Sequence, residues 1–193
     1  MDKIQLGPRT LLYPMPVMVV GSNVNGKANF MVAAWGGIAN GEPPMISVAI
    51  RPQRYTLIGI NQNNTFSINI PSTDLIKEAD YCGLVSGHDV DKVDICKFKI
   101  FYGKLKSAPL IEQFPVNLEC KVEHSLNLGS HWLVIGRIEE THLSSACSTN
   151  GNPDISKIKP ATFITQPAGE YRYLGEYLAK AHSIGRELRA NIS

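Results

Sequence analysis

The residues best suited to chemistry in this 193-residue chain sit in two short polar stretches, RPQRYT (51–56) and SGHDVDK (86–92). The first sets Arg51, Arg54 and Thr56 just after an apolar run, with Pro52 to stiffen a turn. Guanidinium forks and a short hydroxyl make a good donor set for a phosphate, although a solvated basic turn has the same composition. The second offers Ser86 and Gly87 as hydroxyl and backbone donors to an anion, and Lys92 as a charge on a long stem. Asp89, Asp91 and Asp94 also suggest a cation loop, but the central glycine and terminal glutamate of a calcium loop are missing. A helix start or surface turn, with Asp91 orienting a nearby basic side chain, is the simpler alternative.

Other patterns carry less. GSNVNGKA (21–28) matches GxxxxGK, but Ala28 stands where a Ser or Thr hydroxyl must bind Mg²⁺, and Asn25-Gly26 reads as a tight hairpin turn. His88, His124, His131, His142 and His182 form no HExxH motif and no pairing with a close cysteine, and GxSxG is absent, so neither a metal site nor a hydrolase triad is proposed. LGSHW (128–132) places His131 either at a pocket rim or in a hairpin turn. Cys82, Cys96, Cys120 and Cys147 are 14, 24 and 27 positions apart, which fits neither CxxC redox chemistry nor structural zinc. They read as ordinary reduced thiols, with a reactive cysteine as the alternative.

The elements that must position these groups read mostly as short strands. VMVV (17–20), MISVAI (45–50) and TFSINI (65–70) have strand character, and Phe66, Ile68 and Ile70 alternate with Ser67 and Asn69, which implies one buried and one wet face. STDLIKEADYCG (72–83) carries a helical face, with Ser72 to cap it and Gly83 to end it. FKIFYGKL (98–105) resumes strand character, and NLECKVEH with WLVIGRIEET forms a long antiparallel pair around the LNLGSH turn. Residues 146–166 read as a loop. Tyr173, Leu174, Tyr177, Leu178 and Ala181 recur at helical spacing, so 167–190 is expected to be a C-terminal helical segment that covers the barrel or meets a second subunit.

With 44% hydrophobic residues the chain can bury a proper core, and one domain is expected over 1–193. The balance of 19 Lys and Arg against 17 Asp and Glu, without a basic block, argues against nucleic acid as a partner. No apolar run has membrane-spanning length, and the start has an early acid and three prolines without a small-residue cleavage pattern, so a cytoplasmic chain without membrane contact is expected.

One further stretch asks for a reason: NFMVAAWGG (29–37), small-sided, with one of only two tryptophans and a terminal glycine pair. Taken in order, PVMVVGS, GKANFMVAAWGG, PPMISVAIRPQRYT, FSINIP, DYCGLVSGHDVDK, APLIEQFPVNLECKV and LGSHWLVIGRI resemble the flavin reductase-like family, especially its flavoredoxin-like branch, over a core of about 10–145. No single block is specific; their number and order are.

That resemblance implies a mainly β fold, an antiparallel Greek-key split β-barrel that binds FMN, with a few peripheral helices. It implies non-covalent FMN, a homodimer with flavin near the subunit interface, and an NAD(P)H-dependent flavin reductase that passes a hydride from nicotinamide (NADH or NADPH) to flavin N5, with electron carriage from a redox-protein partner as the alternative. A flavin-binding module without a redox role is a third reading. It further implies that Asn29, Met31, Val32, Ala33 and Ala34 run past the flavin ring, and that Arg51, Thr56, Ser86 and Lys92 hold the phosphate or its approach, with Arg54 and Asp91 organising that end. Trp35 either walls the pocket or packs behind it, His131 lies at the rim, and Gly36 and Gly37 relax the chain as it leaves. No catalytic acid, base or nucleophile is assigned, because flavin carries the chemistry and the protein orients it. Three positions depart from the family pattern: Val32 where threonine is common, Trp132 where an acid is frequent after GSH, and Arg137 where glutamate is common after IG.

Overall fold

Apolar alternation along short segments needs a sheet folded on itself to bury it, and the computed structural model, which describes residues 2–191, has that form. The strands are β1 (Met15–Pro16), β2 (Met18–Val24), β3 (Lys27–Ala33), β4 (Gly36–Gly41), β5 (Pro44–Ile50) and β6 (Thr65–Ile70). Then follow β7 (Ile100–Phe101), β8 (Leu110–Ile111), β9 (Val116–Asn127), β10 (Trp132–Leu143), β11 (Ser148–Thr149), β12 (Asn152–Pro153), β13 (Ala161–Ile164) and β14 (Glu170–Tyr173). Helices α1 (Tyr55–Asn63), α2 (Ile76–Leu84), α3 (Lys92–Ile95) and α4 (Ile155–Ile158) sit at the periphery.

Seven strands form one antiparallel sheet in the order β3-β2-β6-β9-β10-β5-β4. The two ends of this order, β3 and β4, are consecutive in the chain. Residues 34–35 therefore stitch one edge of the coiled sheet to the other, and the barrel is split there. The β2–β3 hairpin turns at Asn25-Gly26 with φ of 50° and 80°, the backbone of a two-residue hairpin and not of a phosphate loop. The long pair β9–β10 runs from Trp132 opposite Asn127 to Leu143 opposite Val116.

The barrel interior is filled by Val20 of β2, by Ile46, Val48 and Ile50 on one face of β5, and by Phe66, Ile68 and Val134. A second apolar cluster, with Val19, Phe30, Ala79, Phe98 and Phe114, lies between the outer face of β2–β3 and the layer made by α2 and the 98–114 segment. Both faces of these strands are covered, which corrects the expected wet face of β6: Ser67 and Asn69 are fully buried. Their polar groups are answered from the covering segment, since Asn69 Oδ1 accepts from Ile111 N (3.0 Å) and Ser67 Oγ donates to the Pro109 carbonyl.

Other elements also differ from expectation. Helix α1 was not anticipated, because Leu57 and Ile60 are a meagre stripe by themselves; the helix is held by burying both against the barrel interior. The helix expected over 72–83 begins as a short 3₁₀ turn (Thr73–Leu75) with no side-chain cap from Ser72, and ends one residue late at Leu84. Of FKIFYGKL only Ile100–Phe101 is strand. The expected loop 146–166 contains the β11–β12 hairpin, α4 and β13. The expected C-terminal helix is absent over 167–181: β14 pairs with β13, residues 174–180 have no regular structure, and only Ile184–Asn191 winds into 3₁₀ turns. The apolar spacing of 173–181 is instead left outward, with Tyr177 and Leu178 exposed. Gly36 is required for close approach and not for slack, since a Cβ there would strike the Ser47 carbonyl and Met18. Among the described residues no helix is long and apolar enough to cross a membrane.

Candidate functional site

The split in the barrel opens a cavity of about 460 Å³ whose wall is the segment singled out in the sequence: Met31, Val32, Ala33, Ala34 and Trp35 all line it. The reason is topological. β3 pairs with β2 along one edge only, and no strand pairs with its other edge among the described residues. Backbone N–H and C=O groups on that edge therefore face the opening, and small side chains at Ala33 and Ala34 let a flat molecule approach them. Trp35 is 40% exposed, so the core alternative for it is excluded and the rim alternative stands. Its ring stacks on His131 with centroids 4.9 Å apart and planes inclined by 25°. His131 belongs to the β9–β10 turn and also lines the cavity. Burial in this stack, followed by the nearby charge of Arg51, pushes its pKa below the ordinary 6.5 and favours the neutral ring.

At one end the cavity meets a second hollow of about 290 Å³, with Met31, Arg51 and Arg54 on the shared border. Thr56, Ser86, Gly87 and Lys92 line its far side. The sequence stretches RPQRYT and SGHDVDK, about thirty positions apart, are thus brought face to face. Arg54 Nη1 donates to the Gly83 carbonyl at 2.9 Å, which fixes the guanidinium at the end of α2. Arg51 makes no side-chain hydrogen bond or ion pair among the described residues, so its five donors face the opening unspent.

Lys92 is the most unusual group. It is 5% exposed, and its Nζ donates to the carbonyls of Phe30 and Cys82, each at 2.9 Å, with no carboxylate beside it among the described residues. Burial, with a smaller push from Arg54, lowers its pKa, while the Cys82 thiol acts the other way. A buried ammonium with one donor left and no counter-ion is a strong anion seat. It is not the mobile charge that the sequence suggested, because two carbonyls and the barrel wall hold it in place.

The remaining expected residues shape or support the hollow. Asn29 is buried, and its Nδ2 donates to Thr56 Oγ1 at 2.7 Å, so Thr56 anchors β3 to the first turn of α1. Asp91 caps α3, accepting from Val93 N (3.0 Å) and Asp94 N (3.2 Å), which is the helix-start alternative. It positions Lys92 through that helix. Ser86 Oγ accepts from His88 N at 3.2 Å and shapes the turn around Gly87, whose missing side chain lets the loop lie directly on the Asn29 amide. Of the three departures from the family pattern only Val32 lines the cavity. Trp132 packs on the core, and Arg137 pairs with Glu139 (2.8 Å) and Glu123 (3.4 Å) on the outside of the sheet.

Phe163 and Tyr171, which also line the cavity, were missed. They come from β13 and β14, a hairpin whose sheet begins with β1. ATFI and EYRY both alternate, with a QPAG turn between them, and that weak signal was hidden by the helical spacing downstream. Tyr171 donates to Asp80 Oδ1 at 2.8 Å and ties the hairpin to α2; burial and then Asp80 raise its pKa.

Comparison with known proteins gives a consistent family. The profile of the flavin reductase like domain matches residues 10–165. The crystal structure of flavoredoxin from Methanosarcina acetivorans is 39% identical and superposes with a TM-score of 0.92, covering 97% of this chain and 100% of that one. Flavoredoxin of Desulfovibrio vulgaris (Miyazaki F) is 37% identical at a TM-score of 0.88, covering 95% and 100%. An uncharacterized protein of Archaeoglobus fulgidus is 30% identical over 145 residues, 75% of this chain and 81% of its own.

Proposed function

The chain belongs to the flavin reductase-like family, and on that premise we propose that it is a non-covalent FMN protein of the flavoredoxin type, which takes electrons from a protein donor and passes them on. The observation that carries this reading is the meeting of a strand edge with unpaired backbone groups, flanked by small side chains, and a buried ammonium without a counter-ion. A planar polar-edged ring joined to a phosphate matches both. When bound, FMN supplies electron and hydride chemistry that no side chain here can provide.

The protein's own part is placement. Backbone groups of 31–34 bond the polar edge of the ring, and Trp35 stacked on His131 shields its margin. Burial, then the charge of Arg51, lowers the His131 pKa and so favours the uncharged ring there. Lys92, Arg51, Arg54 and Ser86 hold the phosphate, and Thr56 and Asp91 keep Asn29 and Lys92 in place. The exposed apolar residues Leu12, Trp35 and Ile38 on the N-terminal segment and at the β4 edge fit a homodimer with the site near its interface.

Hydride transfer from NADH or NADPH is the second reading, favoured by the aromatic side chains Trp35, Phe163 and Tyr171 that line the cavity and offer ring surface to a nicotinamide. The two separate in one experiment. The purified protein is loaded with FMN and titrated without oxygen, first with each nicotinamide and then with a reduced ferredoxin or flavodoxin. Bleaching by the reduced protein alone supports the carrier; rapid bleaching by a nicotinamide replaces it with the reductase. A protein that takes up no flavin overturns both and leaves a non-redox module.

A further inference from the structure

Two cysteines flank the phosphate-side stretch: Ser86, Gly87 and Lys92 all lie between Cys82 and Cys96. Both thiols are free, Cys82 fully buried near the end of α2 and Cys96 half-buried just after α3. Cys96 Sγ lies 3.9 Å from the Glu78 carbonyl oxygen. Cys82 stands four residues after Glu78 in the same helix, so its amide faces that carbonyl and its side chain lies on the same side. The two side chains share one apolar cluster, thiol against thiol. Lys92 is tied to both: its Nζ donates to the Cys82 carbonyl (2.9 Å), and its carbonyl accepts from the Cys96 amide (3.0 Å). The other two cysteines are engaged elsewhere, Cys120 in the barrel interior and Cys147 beside the Lys157 carbonyl (3.6 Å).

We propose that Cys82 and Cys96 form a reversible disulfide that closes residues 82–96 into a covalent ring and fixes the anion seat. The effect on the seat rests on the flavin reading above; the disulfide itself does not. Hydrogen peroxide is the oxidant. The sulfur of Cys96, the more open of the two, attacks one peroxide oxygen; the O–O bond breaks, water leaves, and Cys96 carries a sulfenic acid. The Cys82 sulfur then attacks the Cys96 sulfur, the S–S bond forms, and hydroxide leaves with the Cys82 proton as a second water. Two thiols thus lose two electrons and two protons, and peroxide gains them. Burial pushes the Cys82 thiol up to about 12 and also raises that of Cys96, so the reaction quickens as pH rises. Ring closure removes freedom from the segment that carries Ser86, Gly87 and Lys92, and a pre-ordered seat holds its anion more tightly.

The test treats the full chain with hydrogen peroxide, then unfolds it with alkylation and digests it with trypsin. The expected product is peptide 78–92, carrying Cys82, joined to peptide 93–97, carrying Cys96, and separated again by dithiothreitol. The same oxidation should raise Tm by about 5–10 °C and tighten FMN about three- to tenfold, with riboflavin, which lacks the phosphate, unchanged. Cys96→Ser and Cys82→Ala should each lose both shifts, and Cys96→Ser should bind FMN as the reduced wild type does. Absence of the joined peptides, or a Tm rise that survives in both variants, overturns the disulfide. A disulfide that leaves FMN affinity unchanged, or moves riboflavin equally, overturns its hold on the anion seat. Uptake of no flavin overturns the flavin reading, and the joined peptides and Tm shift still decide the disulfide.

Discussion

Two polar clusters in this molecule have similar ingredients and opposite fates. Beneath the 98–114 segment, Ser67, Asn69, Asn117 and Glu119 are buried with every donor matched to an acceptor. Asn69 Nδ2 reaches the Val19 carbonyl (3.0 Å) and Ser67 Oγ (2.9 Å), and its Oδ1 takes Ile111 N and Asn117 Nδ2 (2.8 Å). Glu119 accepts from Lys104 N (3.1 Å), Leu105 N (2.6 Å) and His142 Nε2 (2.7 Å). At the split in the barrel, Lys92, Arg51 and the free edge of β3 keep donors in reserve. A matched cluster is an internal fastening, whereas surplus donors around a hollow are a ligand site. Residue types alone do not distinguish the two; the accounting of partners does.

The sharpest way to break this contrast is at Glu119. Glu119→Ala strands two backbone N–H groups and His142, and is expected to cost about 3–5 kcal/mol of folding stability, measured by urea denaturation, with FMN affinity of the folded protein unchanged. A large loss of affinity at retained stability would place this cluster in the site and erase the distinction. Lys92→Met tests the other side: FMN affinity should fall by about 2–3 kcal/mol, roughly 30- to 150-fold, while riboflavin, which lacks the phosphate, binds as before. Equal weakening of both ligands would mean that Lys92 supports the wall and not the anion.

Asn69→Leu should destabilise by about 1–3 kcal/mol, because Ile111 N loses its acceptor, and again spare flavin binding. The smallest expected effect is a pH dependence at the rim. The folded pKa of His131 lies below its ordinary 6.5, so near and below that pH the unfolded chain binds the extra proton. Its contribution is full above pH 6.5 and is lost as pH falls through 6.5 towards the folded value. Denaturation of wild type against His131→Gln from pH 8 down to about 5 checks it: the stability difference between the two should narrow as pH falls, and a constant difference refutes the sign.

Much of the sheet was legible because strand alternation and turn chemistry are local properties. VMVV, the Asn25-Gly26 turn, MISVAI, TFSINI and the long β9–β10 pair stand where the sequence put them. The two polar stretches were legible as donor sets, and their meeting across one hollow followed from the family resemblance and not from spacing. What escaped were elements whose pattern depends on a neighbour. Helix α1 needs the barrel interior for Leu57 and Ile60, and the β13–β14 hairpin needs β1 to pair with. The apolar spacing after Tyr173 finds little burial among the described residues, with Tyr173, Tyr177 and Leu178 left largely exposed, and the segment did not become a helix.

The chain's composition, its short alternating segments and the order of its motif blocks by themselves determined a mainly β fold and a family. They also singled out NFMVAAWGG and named most of the donors around it. Only the tertiary structure decided that β3 and β4 are the two ends of one sheet, so that Ala34 and Trp35 bridge a gap in place of filling a core. It also decided which polar groups are spent on each other and which are left over. The physical reason is the same in both cases: a hydrogen-bond donor or a strand edge is satisfied by whatever lies opposite, and what lies opposite is fixed by contacts between residues far apart in the chain.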